Sequence, residues 1–179
     1  MNDMTRTPQV GIKSQRMTLR PLDIADAGLI EMLAGDARVA RNTSSIPHPL
    51  PPGATEALLK RAADPVRDED IWAMDASEHG GSTLMGLISL TRLDESQSEI
   101  GYWVAPAFWN TGTASDAVSA LIDANPLGNK TIFGSVFHDN PASAKVLTNA
   151  GFDYIGDAES FSVARGATVP TWTYLRKLA

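Results

Sequence analysis

The chain has 179 residues, a formal net charge of -6 and no cysteine. That length fits one compact domain, and the missing thiols remove disulfides, thiolate metal sites, cysteine nucleophiles and enzyme-bound thioesters together. Lysine and arginine occur singly or in pairs, which offers no basic stripe to a nucleic acid, and no window approaches the roughly 20 apolar residues of a membrane span. A soluble, unprocessed, cytoplasmic protein is expected, monomeric or homodimeric, without a membrane or a directly bound nucleic acid as partner.

Residues 1–10 are polar and read as a flexible leader, leaving 11–179 as a single domain. Met17-Thr-Leu-Arg20 alternates as a half-buried strand does. Asp23 is placed to cap a helix on which Ala25, Leu29, Met32 and Leu33 share a face, with Gly35 at a left-handed C-terminal position. Four prolines between Ser44 and Gly53 exclude regular structure there. A second helix is expected over 55–63.

Trp72, Met74 and Ala76 alternate, and beyond the turn-like segment 78–81 the apolar run 84–90 pairs with them as an antiparallel hairpin. Residues 99–105 read as a strand, and Ala114, Ala117, Val118, Leu121 and Ile122 mark a helix of clear period. Thr131 to Phe137 is rich in β-branched and aromatic types and reads as a strand. Asn140 and Pro141 open a helix that ends before Gly151, and 152–155 and 171–175 are two closing strands. The predicted order is strand, two helices, three strands, helix, strand, helix, two strands.

Chemistry concentrates where the strand ending near Val104 turns through Pro106 to Ala114 into the next helix. A glycine turn entering a helix presents unpaired N–H groups at the positive end of the helix dipole, which suits a phosphate group. The segment Trp109-Asn-Thr-Gly112-Thr-Ala114 resembles the acyl-CoA signature of the GNAT acetyltransferase superfamily, in the branch of the ribosomal-protein N-terminal alanine acetyltransferases. Glu99-Ile-Gly-Tyr-Trp-Val is similar to that family's central strand, and Asn140-Pro-Ala-Ser143 with Gly151-Phe152 to its penultimate helix. Met17-Thr-Leu-Arg-Pro-Leu22 and Ile46-Pro-His-Pro49 extend the likeness over about 160 residues.

The resemblance implies an α/β (α+β) fold whose mixed, mostly antiparallel sheet of six to seven strands is flanked by about four helices. It implies acetyl-CoA as cosubstrate and an amine as acceptor, with no metal. The pantetheine arm would follow Trp103 and Val104 where two strands splay apart. The pyrophosphate would rest on Trp109, Asn110, Thr111, Gly112, Thr113 and Ala114. Asn140 would cap its helix and touch pantetheine. Glu99 would be the general base, acting through water, and Ser143 the partner of the leaving thiolate.

Two departures from the family pattern stand out. Asn110 and Thr111 are uncharged where relatives often carry a cation or glutamine, so phosphate binding is expected to rest on backbone donors, with weaker CoA affinity. Leu147 stands where many relatives have a tyrosine that protonates the thiolate. The ordinary alternatives are a solvated strand residue for Glu99, a helix-end serine for Ser143 and core packing for Tyr102, Trp103, Phe108 and Trp109. The three histidines form neither a triad nor a metal set, and a catalytically silent acyl-CoA sensor of the same fold is the rival to an enzyme.

Overall fold

The computed structural model describes residues 8–178. Most of the expected leader therefore lies outside the described residues. At its end, the Gln9 amide donates to Ile71 O at 2.7 Å and the Val10 carbonyl accepts from the Trp72 indole at 2.8 Å.

Among the described residues there are eight strands and five α-helices, one strand and one helix more than the expected upper count. The additions are β1 (Ile12–Lys13), a two-residue edge ahead of β2 (Thr18–Pro21), and α2 (Ala37–Ala40), a single turn following α1 (Ala27–Ala34). Then come α3 (Ala54–Ala63), the hairpin of β3 (Glu69–Asp75) and β4 (Gly86–Arg92), and β5 (Gln97–Val104). The chain continues through α4 (Thr113–Ala124), β6 (Thr131–Phe137), α5 (Pro141–Asn149), β7 (Asp153–Ser162) and β8 (Ala167–Lys177). The strands lie in the order β1-β2-β3-β4-β5-β6-β8-β7. Every neighbouring pair is antiparallel except β5 with β6.

Alternation along the strands divides the core between the two faces of the sheet. Trp72, Met74, Ile88, Leu90 and Ile100 pack against Ala117, Val118, Leu121 and Ile122 of α4 and Ala144 and Leu147 of α5. Ile71, Ala73 and Leu87 form the opposite face with Ile30 of α1 and the half-buried Leu58 and Leu59 of α3.

The first helix departs from expectation. Asp23 does act as a cap, but over a 3-10 turn at Ile24–Asp26, where Asp23 Oδ1 accepts from Ala25 N–H and Asp26 Oδ2 accepts from Asp23 N–H, both at 2.8 Å. The regular helix starts three residues late, which rotates its inner face to Ile30 and Ala34 and leaves Ala25 and Met32 exposed, Met32 at 63%. Gly35 is right-handed, with φ -74°, because the chain runs directly into the Asp36 cap of α2 instead of reversing. The closing hairpin β7–β8 is about twice as long as the segments 152–155 and 171–175, since its outer half is polar and carries no burial signal.

Arg20 ties this region to the sheet. It donates twice to Asp26 at 2.8 Å, once to Asp75 at 2.7 Å and once to Thr83 O at 2.9 Å. Burial alone would push the Asp26 carboxyl up, but the Arg20 bonds, the Asp23 N–H and the Arg20 charge more than offset it, holding Asp26 below the ordinary range. Removing one partner of a buried pair leaves a charge without compensation, so Arg20→Ala should lower stability by about 3 kcal/mol in urea unfolding at pH 7. Because the folded Asp26 is depressed, its contribution is present above its unfolded value of about 3.9 and lost in acid. The deficit of the variant should hold down to about pH 4 and shrink as the pH falls below it. A deficit independent of pH would assign the loss to packing alone.

Candidate functional site

One groove of about 1110 Å³ runs over the middle of the sheet, along β3, β4, β5 and β6, and it begins with a failure of pairing. β5 and β6 pair from Gln97 opposite Thr131 through Ile100 opposite Gly134 and no further. Beyond that point β5 stays with β4 as far as Val104 opposite Gly86, and β6 stays with β8 as far as Phe137 opposite Thr171. The two strand ends splay apart.

Peptide groups alternate between the two neighbours of a strand. Ala105 N–H donates to Met85 O at 2.8 Å, so Trp103 turns its peptide groups toward β4 while Tyr102 and Val104 turn theirs into the gap. Gly86 fits the same register, since a Cβ there would lie 2.2 Å from Trp103 O. The Val104 carbonyl accepts from the Trp109 indole at 2.7 Å, which leaves the Val104 N–H as the open donor. Of the two residues expected to meet a pantetheine arm, Val104 presents backbone to the gap, and Trp103 presents a side chain on the other face.

The turn after β5 ends in two left-handed residues, Asn110 at φ 60° and Gly112 at φ 80°. Thr111 Oγ1 donates to Phe108 O and also meets Thr113 Oγ1 at 2.8 Å, bracing the turn from inside. Gly112 caps α4 without a side-chain bond. The first N–H groups of the helix, those of Thr113, Ala114 and Ser115, therefore face the groove without helical partners.

Asn110 and Thr111 are uncharged, as read from the sequence, but the turn is not without a cation. Arg16, just ahead of β2, donates Nη2–H to Thr111 O at 2.7 Å. A Cβ on Gly112 would stand 2.7 Å from Arg16 Nη1. The local sequence offers no cation at this turn, and the fold brings one to it from 95 positions away, which no local motif could have pointed to. Ser14, in the same bend, donates to Asp116 Oδ2 at 2.6 Å and pins that bend to the first turn of α4.

Across the gap, Asn140 caps α5 by accepting from Ser143 N–H at 3.4 Å. Ser143 Oγ lies 2.7 Å from the Tyr102 hydroxyl, which also reaches Ser143 O at 3.2 Å. Burial outweighs the Ser143 bond and pushes the Tyr102 phenol up to about 12. Leu147 is buried at 1%, with a Cδ atom 2.8 Å from where a Gly134 Cβ would be, so this position serves the core.

Glu99 leaves β5 on the opposite face and opens into the groove. Glu99 keeps the exposure expected of a solvated strand residue, yet the groove walls beside it desolvate its carboxyl enough to raise it above the ordinary range, and among the described residues no side chain pairs with it. Register places Glu69, Thr91 and Glu99 in one row across β3, β4 and β5. Glu69 Oε2 accepts from Ser89 Oγ and Thr91 Oγ1, each at 3.1 Å. Glu69 escaped the sequence reading because its strand appeared to begin only at Trp72.

Tyr102, Trp103, Phe108 and Trp109 all line the groove. His138 does not join it: it stacks on Trp172 at 4.6 Å and lies 3.9 Å from Asp157. No group of three or more metal-ligating side chains occurs among the described residues. What the groove can hold is an extended ligand with an anionic end at the Gly112 turn and a hydrogen-bonding arm at Val104. It offers such a ligand a hydroxyl on one side and carboxylates on the other.

Known proteins share this fold. The family model described as acetyltransferase (GNAT) domain matches residues 16–153. The uncharacterized N-acetyltransferase YoaA of Bacillus subtilis (strain 168) is 27% identical over 172 residues, covering 91% of this chain and 94% of its own. Spermidine N-acetyltransferase from Vibrio cholerae, solved in complex with CoA and spermine, superposes with a TM-score of 0.78 at 18% identity, over 92% of this chain and 97% of that one. RimL, a ribosomal L7/L12 α-N-protein acetyltransferase solved with CoA, superposes with a TM-score of 0.75 at 17% identity, over 94% and 98%.

The turn itself is open to test without any ligand. Gly112→Ala forces a Cβ into the left-handed region and against Arg16, which should lower stability by about 1 kcal/mol in thermal or urea unfolding. Unchanged stability would show that the turn relaxes freely and that Arg16 does not hold it.

Proposed function

The chain belongs to the GNAT acetyltransferase family, and on that premise we propose that residues 11–179 act as one N-acetyltransferase domain that moves the acetyl group of acetyl-CoA to a primary amine by direct attack. The observation that carries this reading is the gap between β5 and β6, bounded at one end by the Gly112 turn. Relatives solved with CoA share the fold around it.

In this reading the pyrophosphate lies on the N–H groups of Thr113 and Ala114 beside Arg16. The pantetheine amide meets Val104 N–H, and Asn140 borders the same arm. The amine enters from the face of Glu99, whose raised carboxyl takes a proton through water once the amine attacks. Placement supplies most of the rate, because the thioester is already activated. Ser143 gives its hydroxyl hydrogen bond to the sulfur as the carbon–sulfur bond breaks. The acceptor is the amine of a protein N-terminus or a small amine, and the carboxylate row favours a cationic one.

Thiol release from acetyl-CoA across a panel of amines and short peptides, run beside calorimetric titration of CoA, tests the whole reading. Turnover of at least one amine is expected, and no CoA binding at millimolar concentration would sink it. Arg16→Ala should weaken acetyl-CoA binding about 10-fold, as for one charge-assisted hydrogen bond near the surface, and flatten its salt dependence. Equal affinity would return phosphate binding to the backbone alone. Glu99→Gln should lower kcat/KM by about 100-fold, and the ratio of wild-type to variant rate should rise with pH through a midpoint above the ordinary glutamate value of about 4.3. A ratio flat with pH would remove Glu99 as the base.

A further inference from the structure

The pattern position that often carries an acidic tyrosine is Leu147 here, and Leu147 is committed to the core over Gly134. A different phenol reaches the same end of the groove from β5. Tyr102 holds one hydrogen and faces two acceptors on one residue, Ser143 Oγ at 2.7 Å and Ser143 O at 3.2 Å. Ser143 O lies inside α5, where the helical ladder already supplies a donor. The shorter, unshared acceptor is Oγ.

We propose that Tyr102 is a positioning residue: its phenol donates to Ser143 Oγ and so directs the hydrogen of Ser143 into the groove, toward the sulfur of the departing thiolate. This rests on the acyl-transfer reading of Ser143 given above. A serine in the first turn of a helix otherwise turns its hydroxyl back onto a carbonyl three or four residues earlier. Here such a carbonyl is open, since Asn140 O receives only a long bond of 3.4 Å from Ala144 N–H. The phenol donates to one lone pair of Ser143 Oγ and holds that oxygen in a rotamer that makes no bond to the Asn140 carbonyl. A hydroxyl that accepts one hydrogen bond also donates a second more strongly.

The device works by hydrogen bonding and transfers no proton. A phenol at about 12 is a weaker acid than a thiol at about 8.5, so Tyr102 keeps its hydrogen. The carbon–nitrogen bond forms, the carbon–sulfur bond breaks, and its electron pair stays on sulfur, which leaves as a thiolate bonded to Ser143. The proton lost by the amine goes to the water on Glu99. Tyr102 itself is well fixed for this task, because its ring packs against the main core while its hydroxyl meets the helix end.

Three variants of the full chain decide the matter: Tyr102→Phe, Ser143→Ala and the double variant, assayed with acetyl-CoA and the best amine. Tyr102→Phe should lower kcat about 10-fold, the worth of one well-placed hydrogen bond, with KM for acetyl-CoA unchanged and melting temperature near that of the parent. Ser143→Ala should lower kcat at least as much, and adding Tyr102→Phe to it should cost nothing more. The loss in Tyr102→Phe should also shrink with an acetyl thioester of a more acidic thiol, which needs less help in leaving. Equal losses from Tyr102→Phe with and without Ser143 would overturn the proposal and make Tyr102 a packing residue. An active Ser143→Ala of parental rate would instead remove Ser143 from the mechanism, a separate failure. If Tyr102→Phe does not fold, 3-fluorotyrosine at position 102 keeps shape and donor. It should match or exceed the parental rate on acetyl-CoA, and a 10-fold loss there would equally overturn the proposal.

Discussion

Among the described residues β5 and β6 form the one parallel pair of the sheet, and that pair breaks after four residues because each strand is held more firmly elsewhere. β5 keeps its antiparallel ladder with β4 to its end, and β6 keeps its own with β8. Two antiparallel half-sheets, each twisting in its own way, meet along a short parallel seam that pairs slightly less well per residue. The seam opens after Ile100 and Gly134. A parallel pair also needs a crossover helix, and α4 supplies it, which carries a helix N-terminus to the open end of β5. One constraint thus makes both the gap and the open helix N-terminus beside it.

The side chains around the gap divide according to the face from which they come. Even positions of β5 send Tyr102 toward α5 and Ser143, and odd positions send Glu99 toward the side of α1 and α3. Arg16 and the free N–H groups of α4 put positive charge beside the Gly112 turn, while Glu69 and Glu99 put negative charge on the other face. Under the proposed function this polarity matches its two substrates, a polyanionic thioester and a cationic amine, and draws each to its own side. With a net charge of -6 the chain does not attract anions as a whole, so a local cation at the turn matters more than it would on a basic protein.

Much of the fold could be read from the sequence because strong local signals agreed. The limits of β6 follow from its β-branched and aromatic run, and the start of α5 from Asn140 and Pro141. The start of α1 failed because Asp23 caps a 3-10 turn, and a cap residue looks the same ahead of either kind of helix. The length of β7 and β8 failed because hairpins that leave the core lose the alternation that marks them. At the site, Gly112, Asn140 and Ser143 sit in contiguous motifs and could be named. Glu69 reaches the groove only through tertiary register, Arg16 meets the Gly112 turn across 95 positions, and the Tyr102–Ser143 bond spans 41.

Leu147 shows why a missing catalytic residue is weak evidence of a silent protein. Gly134 leaves a hollow on β6, and the leucine fills it together with Ile100, so a tyrosine there would have to give up that contact or carry its hydroxyl past it. A hydroxyl at the same end of the groove arrives instead from the neighbouring strand, through Tyr102 and the helix residue it holds. Packing and chemistry compete for positions where a helix crosses a sheet, and here the core has taken one position while the polar function stands on another. A sensor that merely bound acyl-CoA would need the Gly112 turn and the gap. Under the proposed function, the half-buried phenol turned onto Ser143 and the unpaired Glu99 carboxyl across the sheet are what an enzyme adds to that binding frame.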